Sequence, residues 1–474
     1  MNFVILFCFL LVGGILYTFL TSIKNSISAT LAGKEEVSEY TYSLRETLVS
    51  VQQIRTVVLV LTILFTLSYS IFLGVNGTPM QAFVMEWLNL IIRWFHVVAG
   101  IMWIGASFYF IFLENNLNRT KGVRDELAGN LWAIHGGGFY FLEKYKVAPK
   151  VVPKDLHWFK YEAYFTWISG FSLLAVVYYM DAKAFLIEPG SALSTGSAIA
   201  IGIGTLVVGW FVYDGMCRSP LIKNKTLFSL TGFLLLVGVS YFLTLVFNDR
   251  AAYIHVGALI GTLMVGNVFF GIIPSQKALV KAAVLGKPLD PTLGQKAGER
   301  SLHNNYLTLP VIFIMISNHF PSTYGHDHSW AILMVITLAS AGIKHYWNLL
   351  ERGERTKFIL PVSIVALLSL ALVTSPMFDK MDSSYEDVSF DQVNEIVMSR
   401  CIQCHSASPT DEQWAQAPNN VMFDTPEQIK EMSDRIMVRT VRTKTMPLAN
   451  KTEMTDVERE IIKAWIMNGA HIDE

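Results

Sequence analysis

The pentapeptide Cys401-Ile402-Gln403-Cys404-His405 carries the clearest chemistry in this chain. Two thiols three positions apart, followed at once by an imidazole, form the C-x-x-C-H pattern of covalent haem attachment. A short helical turn brings both sulfurs to one porphyrin edge while the adjacent imidazole points at the metal. A redox dithiol does not call for the adjacent histidine, and half a zinc site needs further Cys or His partners, of which only His471 follows. The segment therefore reads as a c-type haem site, with Cys401 and Cys404 bound to the macrocycle and His405 an axial ligand of the iron. The sixth ligand should be a Met or His some tens of residues downstream on a loop, and Met/His ligation gives the raised potential that suits an electron acceptor. Met422, Met432, Met437, Met446, Met454 and Met467 are available. Met446 is favoured because Thr445-Met446-Pro447 lies between two helical patterns and Pro447 stiffens the loop. Ordinary core packing is the competing use of that side chain.

These residues need a domain to hold them. Composition changes abruptly at Ser375 and Pro376 to a polar, acidic linker over 375–390, followed by a segment of mixed character over 391–474. Its last helix is expected over 455–468. It opens with a capping-box pattern, Thr455 followed by Glu458, and presents Ile461, Ile462, Trp465 and Ile466 on the face that should cover the haem edge. A small α-helical, class I-like cytochrome c domain is the expectation.

Upstream the chain is of another class. Of the 474 residues, 52% are hydrophobic and only 16% charged, and the apolar ones gather into runs long enough to cross a hydrocarbon core. Ten such runs are expected to be spans: 2–21, 56–74, 87–113, 161–181, 196–216, 227–247, 251–273, 305–320, 330–348 and 357–374. The fold class is thus all-α, a polytopic helical bundle of about ten spans with the lipid bilayer as its partner. The loops 22–55, 114–160, 217–226, 274–304 and 349–357 are rich in Lys and Arg, whereas the intervening loops carry only Lys183 and Arg250. Basic loops stay in the cytoplasm. An even number of spans then places both termini on the periplasmic side of a bacterial inner membrane, where haem is attached to such motifs. A cleaved signal peptide is the competing reading of 2–21, against which stands the absence of a basic residue ahead of it. Cys8 lies in the first apolar run and Cys217 at the cytoplasmic end of the fifth, and both read as small buried hydrophobes, not as a disulfide framework.

Ionisable side chains within spans are costly and mark function by default. His96 falls near mid-membrane in the third span, with Arg93 one turn away on the same face, while His255 and His319 fall in the outer halves of theirs. Two uses compete for these histidines. They are candidate axial ligands of an intramembrane b-type haem, His96 with His255 being the first pair to consider, or proton-transfer groups lining a substrate cavity. Hydrogen bonding across a helix interface is the third use. On the cavity reading Arg93 holds an anion and His96 accepts a proton, and these two are the candidate catalytic residues. His135-Gly136-Gly137-Gly138-Phe139-Tyr140 could offer backbone amides to an anion. No G-x-G-x-x-G follows a strand, no strand-rich region is expected, and no nucleic-acid partner is expected.

The stretch from Arg93 to Gly105 (RWFHVVAGIMWIG), with His135–Tyr140, Leu156–Tyr164, Ser317-Asn318-His319-Phe320-Pro321 and Tyr324-Gly325-His326-Asp327, resembles the membrane-bound bacterial urate hydroxylase, or urate oxidase, family. The resemblance runs from about residue 84 to the C-terminus. It implies a membrane domain over 84–374 fused through a linker to a cytochrome c domain. It also implies conversion of urate and water to 5-hydroxyisourate, with electrons passed through the fused cytochrome to a terminal oxidase or soluble cytochrome c. The chain departs from the family in carrying two further spans with their cytoplasmic loop over 1–83, and in Leu448 where a second proline often follows the ligand methionine. Two other functions fit the same residues: a respiratory subunit oxidising quinol or another donor, and a membrane-anchored cytochrome that docks a partner oxidase.

Overall fold

Backbone that crosses hydrocarbon must satisfy its own N–H and C=O groups, and helices do so within one segment. The computed structural model describes residues 2–34, 38–75, 80–188, 190–326, 328–375, 388–411, 414 and 416–472. Most of the expected linker, over 376–387, lies outside the described residues, as do Asp327 and the Cys8 side chain. The chain begins with α1 (Asn2–Leu31), α2 (Glu39–Val75) and α3 (Met80–Asn116), then a hairpin of β1 (Leu127–His135) and β2 (Gly138–Tyr145). There follow α4 (Tyr161–Leu174), continued by a π turn, α5 (Ala182–Phe185), α6 (Thr195–Arg218), α7 (Lys225–Val246), α8 (Asp249–Gly266) and α9 (Ile273–Val284). After these come α10 (Pro291–Ser317), α11 (Pro321–Tyr324), α12 (Ser329–Glu351) and α13 (Ile359–Val373). The C-terminal segment holds α14 (Phe390–Arg400), α15 (Pro426–Glu431), α16 (Ser433–Ile436) and α17 (Asp456–Met467).

Among the described residues, five helices are long and apolar enough to cross a membrane: Leu10–Leu31, Phe83–Asn116, Thr195–Arg218, Lys225–Val246 and Asp249–Val284. The expected spans 161–181, 305–320, 330–348 and 357–374 fall on helices that do not combine both properties. α4 gives way to a π turn at Ala175, α10 carries polar residues through its first half, α12 carries Lys344, His345 and Asn348, and α13 is a shorter apolar helix. The all-α expectation needs one correction, at 127–145, where the chain forms an antiparallel hairpin. Gly136 and Gly137 both take positive φ, 57° and 79°, as a two-residue primed turn requires. The glycines after His135 are thus explained by chain reversal. Trp132 and Phe141 face each other across the strands, ring centroids 4.7 Å apart.

The chain divides into two compact units. The first comprises residues 1–87, 145–156 and 275–294. In it α1 and α2 lie side by side, Gly13 against Thr62 and the Arg55 guanidinium 5.5 Å from the Tyr17 ring, and Glu39 is held by Lys287 at 2.5 Å and Lys281 at 3.6 Å.

The second unit is built around α8, whose Ala251, Tyr253, Val256, Ile260 and Met264 are almost wholly buried. α4, α6, α7 and α12 pack on it. Small residues let them approach closely: at Gly266 any side chain would strike the Trp210 ring, and at Gly202 it would strike Tyr179 and His255. Apolar side chains such as Trp94, Ile101, Phe211 and Leu245 point outward, as lipid-facing positions do.

The C-terminal helices close over a core of Val393, Val397, Ile429, Ile462 and Trp465. The capping box read at Thr455 is present: the Glu458 N–H donates to the Thr455 hydroxyl at 3.2 Å and the Thr455 N–H to the Glu458 carboxylate at 2.6 Å. Arg400 also pairs with Glu458 at 2.9 Å. Burial alone would raise this carboxyl, but the Thr455 and Arg400 hydrogen bonds outweigh it and hold the group below its ordinary value of 4.5. A carboxyl lowered by folding stabilises fully above its ordinary value and loses that contribution as pH falls through the lowered one. Glu458→Gln should therefore flatten the acid limb of stability, read as calorimetric melts of the full chain across the acid range.

The C-terminal segment belongs to the same unit as the bundle and meets it at α11. Arg439 donates to the Tyr324 hydroxyl at 3.2 Å, and Gly325 packs against Thr443 where no side chain would fit.

Candidate functional site

Four helical segments converge at the α11 end of the bundle. α3 brings Arg93, whose guanidinium binds the Asn89 side chain one turn earlier, at 2.8 and 3.1 Å. The π turn after α4 brings Tyr178, the start of α8 brings Arg250, and the residue after α10 is Asn318. Arg250 Nε donates to Asn318 Oδ1 at 3.1 Å, and the Tyr178 hydroxyl reaches the same oxygen at 3.5 Å. The Arg250 guanidinium lies 5.9 Å from the Tyr178 ring and 5.8 Å from Phe185. Arg93 is within electrostatic reach of both Tyr178 and Arg250. Sequence reading singled out Arg93 alone from this cluster.

His96, one turn from Arg93, faces α4. Its Nδ1 is 3.0 Å from the Thr166 carbonyl and 3.0 Å from the Ser169 hydroxyl. A carbonyl can only accept, so Nδ1 carries the proton and Nε2 keeps its lone pair. His255 is fully buried, its Nδ1 on the Ala251 carbonyl at 2.8 Å and its Nε2 on the Tyr179 hydroxyl at 3.1 Å. Both of its nitrogens are thus in hydrogen bonds within the helix packing. His96 and His255 engage turns of the α4 region about 15 Å apart along the chain axis, from Ser169 to Tyr179. His319 is exposed, and it is its neighbour Asn318 that turns into the cluster.

The other end of the bundle carries a satisfied polar network. Arg300 pairs with Asp214 at 2.6 Å and donates to Asn267 at 2.9 Å. Asn267 in turn binds Tyr213 and Asn304, each at 2.8 Å, and Tyr213 meets His303 at 2.8 Å. Every member has partners, so the network ties α6, α8 and α10 together.

In the C-terminal segment the C-x-x-C-H turn is closed by the Cys404 and His405 N–H groups, which donate to the Cys401 carbonyl at 3.2 and 3.0 Å. Both thiols are free. Burial pushes Cys401 up to about 12 and raises Cys404 as well, opposite to the lowered thiol of a redox dithiol. His405 Nδ1 lies 2.9 Å from the Val421 carbonyl, which fixes the proton there and leaves Nε2 its lone pair. Burial holds this imidazole below its usual value, the direction that favours the neutral form a metal ligand takes. Met446 is half-buried, its N–H donating to the Arg439 carbonyl and its carbonyl accepting from Arg459, each at 2.9 Å. Arg459 is itself 5% exposed and also serves the Thr440 carbonyl and Asn450. The turn thus offers two free thiols and an imidazole with a directed lone pair, and the Met446 backbone is held on both sides.

The family model described as urate oxidase N-terminal matches residues 82–375, from just inside α3 to the end of α13. No curated protein matches the chain. No solved structure matches it.

Proposed function

The chain belongs to the urate oxidase N-terminal family, and from that premise we propose that it oxidises urate with water to 5-hydroxyisourate and passes the electrons to a c-type haem carried by its own C-terminal domain. The reaction releases two protons and two electrons for each urate. When bound, the haem supplies a one-electron acceptor with a potential raised by its methionine ligand. Cys401 and Cys404 would bind it covalently, and His405 and Met446 would ligate its iron. Arg93 holds the substrate anion, and His96 accepts a proton at Nε2, the nitrogen left free by its bond to Thr166. His96 in that role is not available to an intramembrane haem.

The observation that carries this reading is the contact between the two domains. Asn318 in the cationic cluster is followed six positions later by Tyr324, which accepts from Arg439, and the Arg439 carbonyl holds Met446. A short path therefore leads from the cluster to the methionine loop. The protein would sit in a bacterial inner membrane with its C-terminal domain on the periplasmic side, handing electrons to a terminal oxidase or soluble cytochrome c.

The test is anaerobic addition of urate to the oxidised, detergent-purified protein. Reduction of the c haem is expected, and a haem that stays oxidised with urate yet is reduced by quinol would sink the proposal. Met446→Ala should leave the haem covalently attached while abolishing the sulfur-to-iron charge-transfer band and lowering the potential. An unchanged band would assign the sixth position to another residue.

A further inference from the structure

We propose that Arg93, Arg250 and Asn318 form a donor-only seat for an oxopurine anion, with Tyr178 and Phe185 fixing its geometry; the choice of ligand rests on the function proposed above. Among the described residues neither guanidinium makes an ion pair with a carboxylate, although each is half-buried. Two positive charges within electrostatic reach of each other in a low-dielectric bundle repel, and removal from water adds to the cost. An anion between them relieves both effects. Arg250 does not fold back onto solvent-facing carbonyls. It is held against the Tyr178 and Phe185 rings, and its Nε is committed to Asn318. Tyr178 takes up one further N–H, and the rest of the guanidinium fork remains to donate.

Asn318 decides what kind of anion fits. Its Oδ1 accepts from Arg250 and from Tyr178, so the amide orientation is set and only the Nδ2 hydrogens remain to be offered. Arg93 adds further donors, Asn89 having taken up one side of its fork. The seat therefore presents N–H groups and no acceptor from these three side chains. A purine ringed by carbonyl oxygens and bearing a negative charge meets every one of them. An aminopurine would place its own donors against these donors and leave both sides unpaired, which is how a hydrogen-bonding site rejects a close analogue. His96 adds no donor to the seat, its Nδ1–H being turned to α4, and keeps Nε2 for the proton.

The test is equilibrium dialysis of labelled urate against the full-length, haem-loaded protein in detergent. Arg250→Gln and Asn318→Asp are each expected to weaken binding by about thirtyfold or more, the loss that goes with a hydrogen bond to a charged partner. Arg250→Lys should recover part of it. Xanthine should compete with urate and adenine should not. Haem content and melting temperature identify any variant that has failed to fold, and the remaining one then decides. Unchanged urate binding in the folded variants, equal competition by adenine, or no binding to the unmodified protein would each overturn the seat. Haem reduction by urate in the same samples reads the proposed function separately. Reduction with binding indifferent to Arg250 and Asn318 removes the seat and keeps the function. Arg250-dependent binding without reduction keeps the seat and removes the function.

Discussion

A full-length chain in which Cys401 and Cys404 are both serine should give no haem stain after denaturing electrophoresis, whereas the unmodified chain should stain. The stain survives denaturation only if the macrocycle is bonded to the polypeptide. The described thiols other than these two reduce to Cys217, half-buried in α6 far from the C-terminal segment in the chain. Both serines keep the size and hydrogen-bonding capacity of the turn closed on the Cys401 carbonyl, so the loss reports chemistry at sulfur. The domain should also lose stability, because a group bound to the folded state and absent from the unfolded one shifts the equilibrium by mass action. A stain that persists in the double variant would locate the attachment elsewhere. An unmodified chain with no stain, expressed where haem attachment operates, would remove the cytochrome reading altogether.

Arg459→Leu is expected to be the most damaging single substitution in the C-terminal segment outside the C-x-x-C-H turn. Arg459 is buried and bridges the Thr440 carbonyl, the Met446 carbonyl and the Asn450 side chain, so one side chain fastens α17 to both flanks of the methionine loop. Leucine fills much of the volume and leaves those acceptors in the interior without donors. An unsatisfied buried acceptor costs about 1–3 kcal/mol. With these bonds lost together, a destabilisation of about 3–5 kcal/mol is in scale with breaking a buried charged network. In a domain of this size that lowers the melting temperature by roughly 10 °C or more. Arg459→Lys should recover little, since an ammonium cannot serve several divergent acceptors as a guanidinium fork does. Released from Arg459, Met446 should also lose the iron contact proposed for it. A melting temperature within a degree or so of the parent would contradict the account.

Other side chains show where reading by sequence alone stops. On a helix, one position is about 100° of rotation. His319 has the more reactive side chain, yet it is exposed at the end of α10, while Asn318 beside it enters the cluster and binds Arg250. Spacing within one helix does not say which of two adjacent residues faces inward when neither flank is strongly amphipathic. His255 stands out in sequence because an ionisable group in an apolar run is rare, but its partners are not legible there. The Ala251 carbonyl and the Tyr179 hydroxyl, contributed by its own preceding turn and by another helical segment, take up both of its nitrogens. The three glycines after His135 suggested an anion cradle, and a primed turn between β1 and β2 uses two of them.

What the sequence determined by itself was local or compositional. The C-x-x-C-H pentapeptide is contiguous, so the haem proposal could be read from it without a fold. Long apolar runs announce membrane helices because the hydrocarbon leaves the backbone no other partner, and a capping box lies within four residues. The tertiary structure alone decided the cluster of Arg93, Tyr178, Arg250 and Asn318, because those residues come from four segments distant in the chain and meet only when α3, α4, α8 and α10 pack. It alone decided, too, that the loop bearing Met446 meets the bundle through Arg439 and Tyr324. No periodicity or motif encodes such a meeting, since it depends on how helix faces fit together in space.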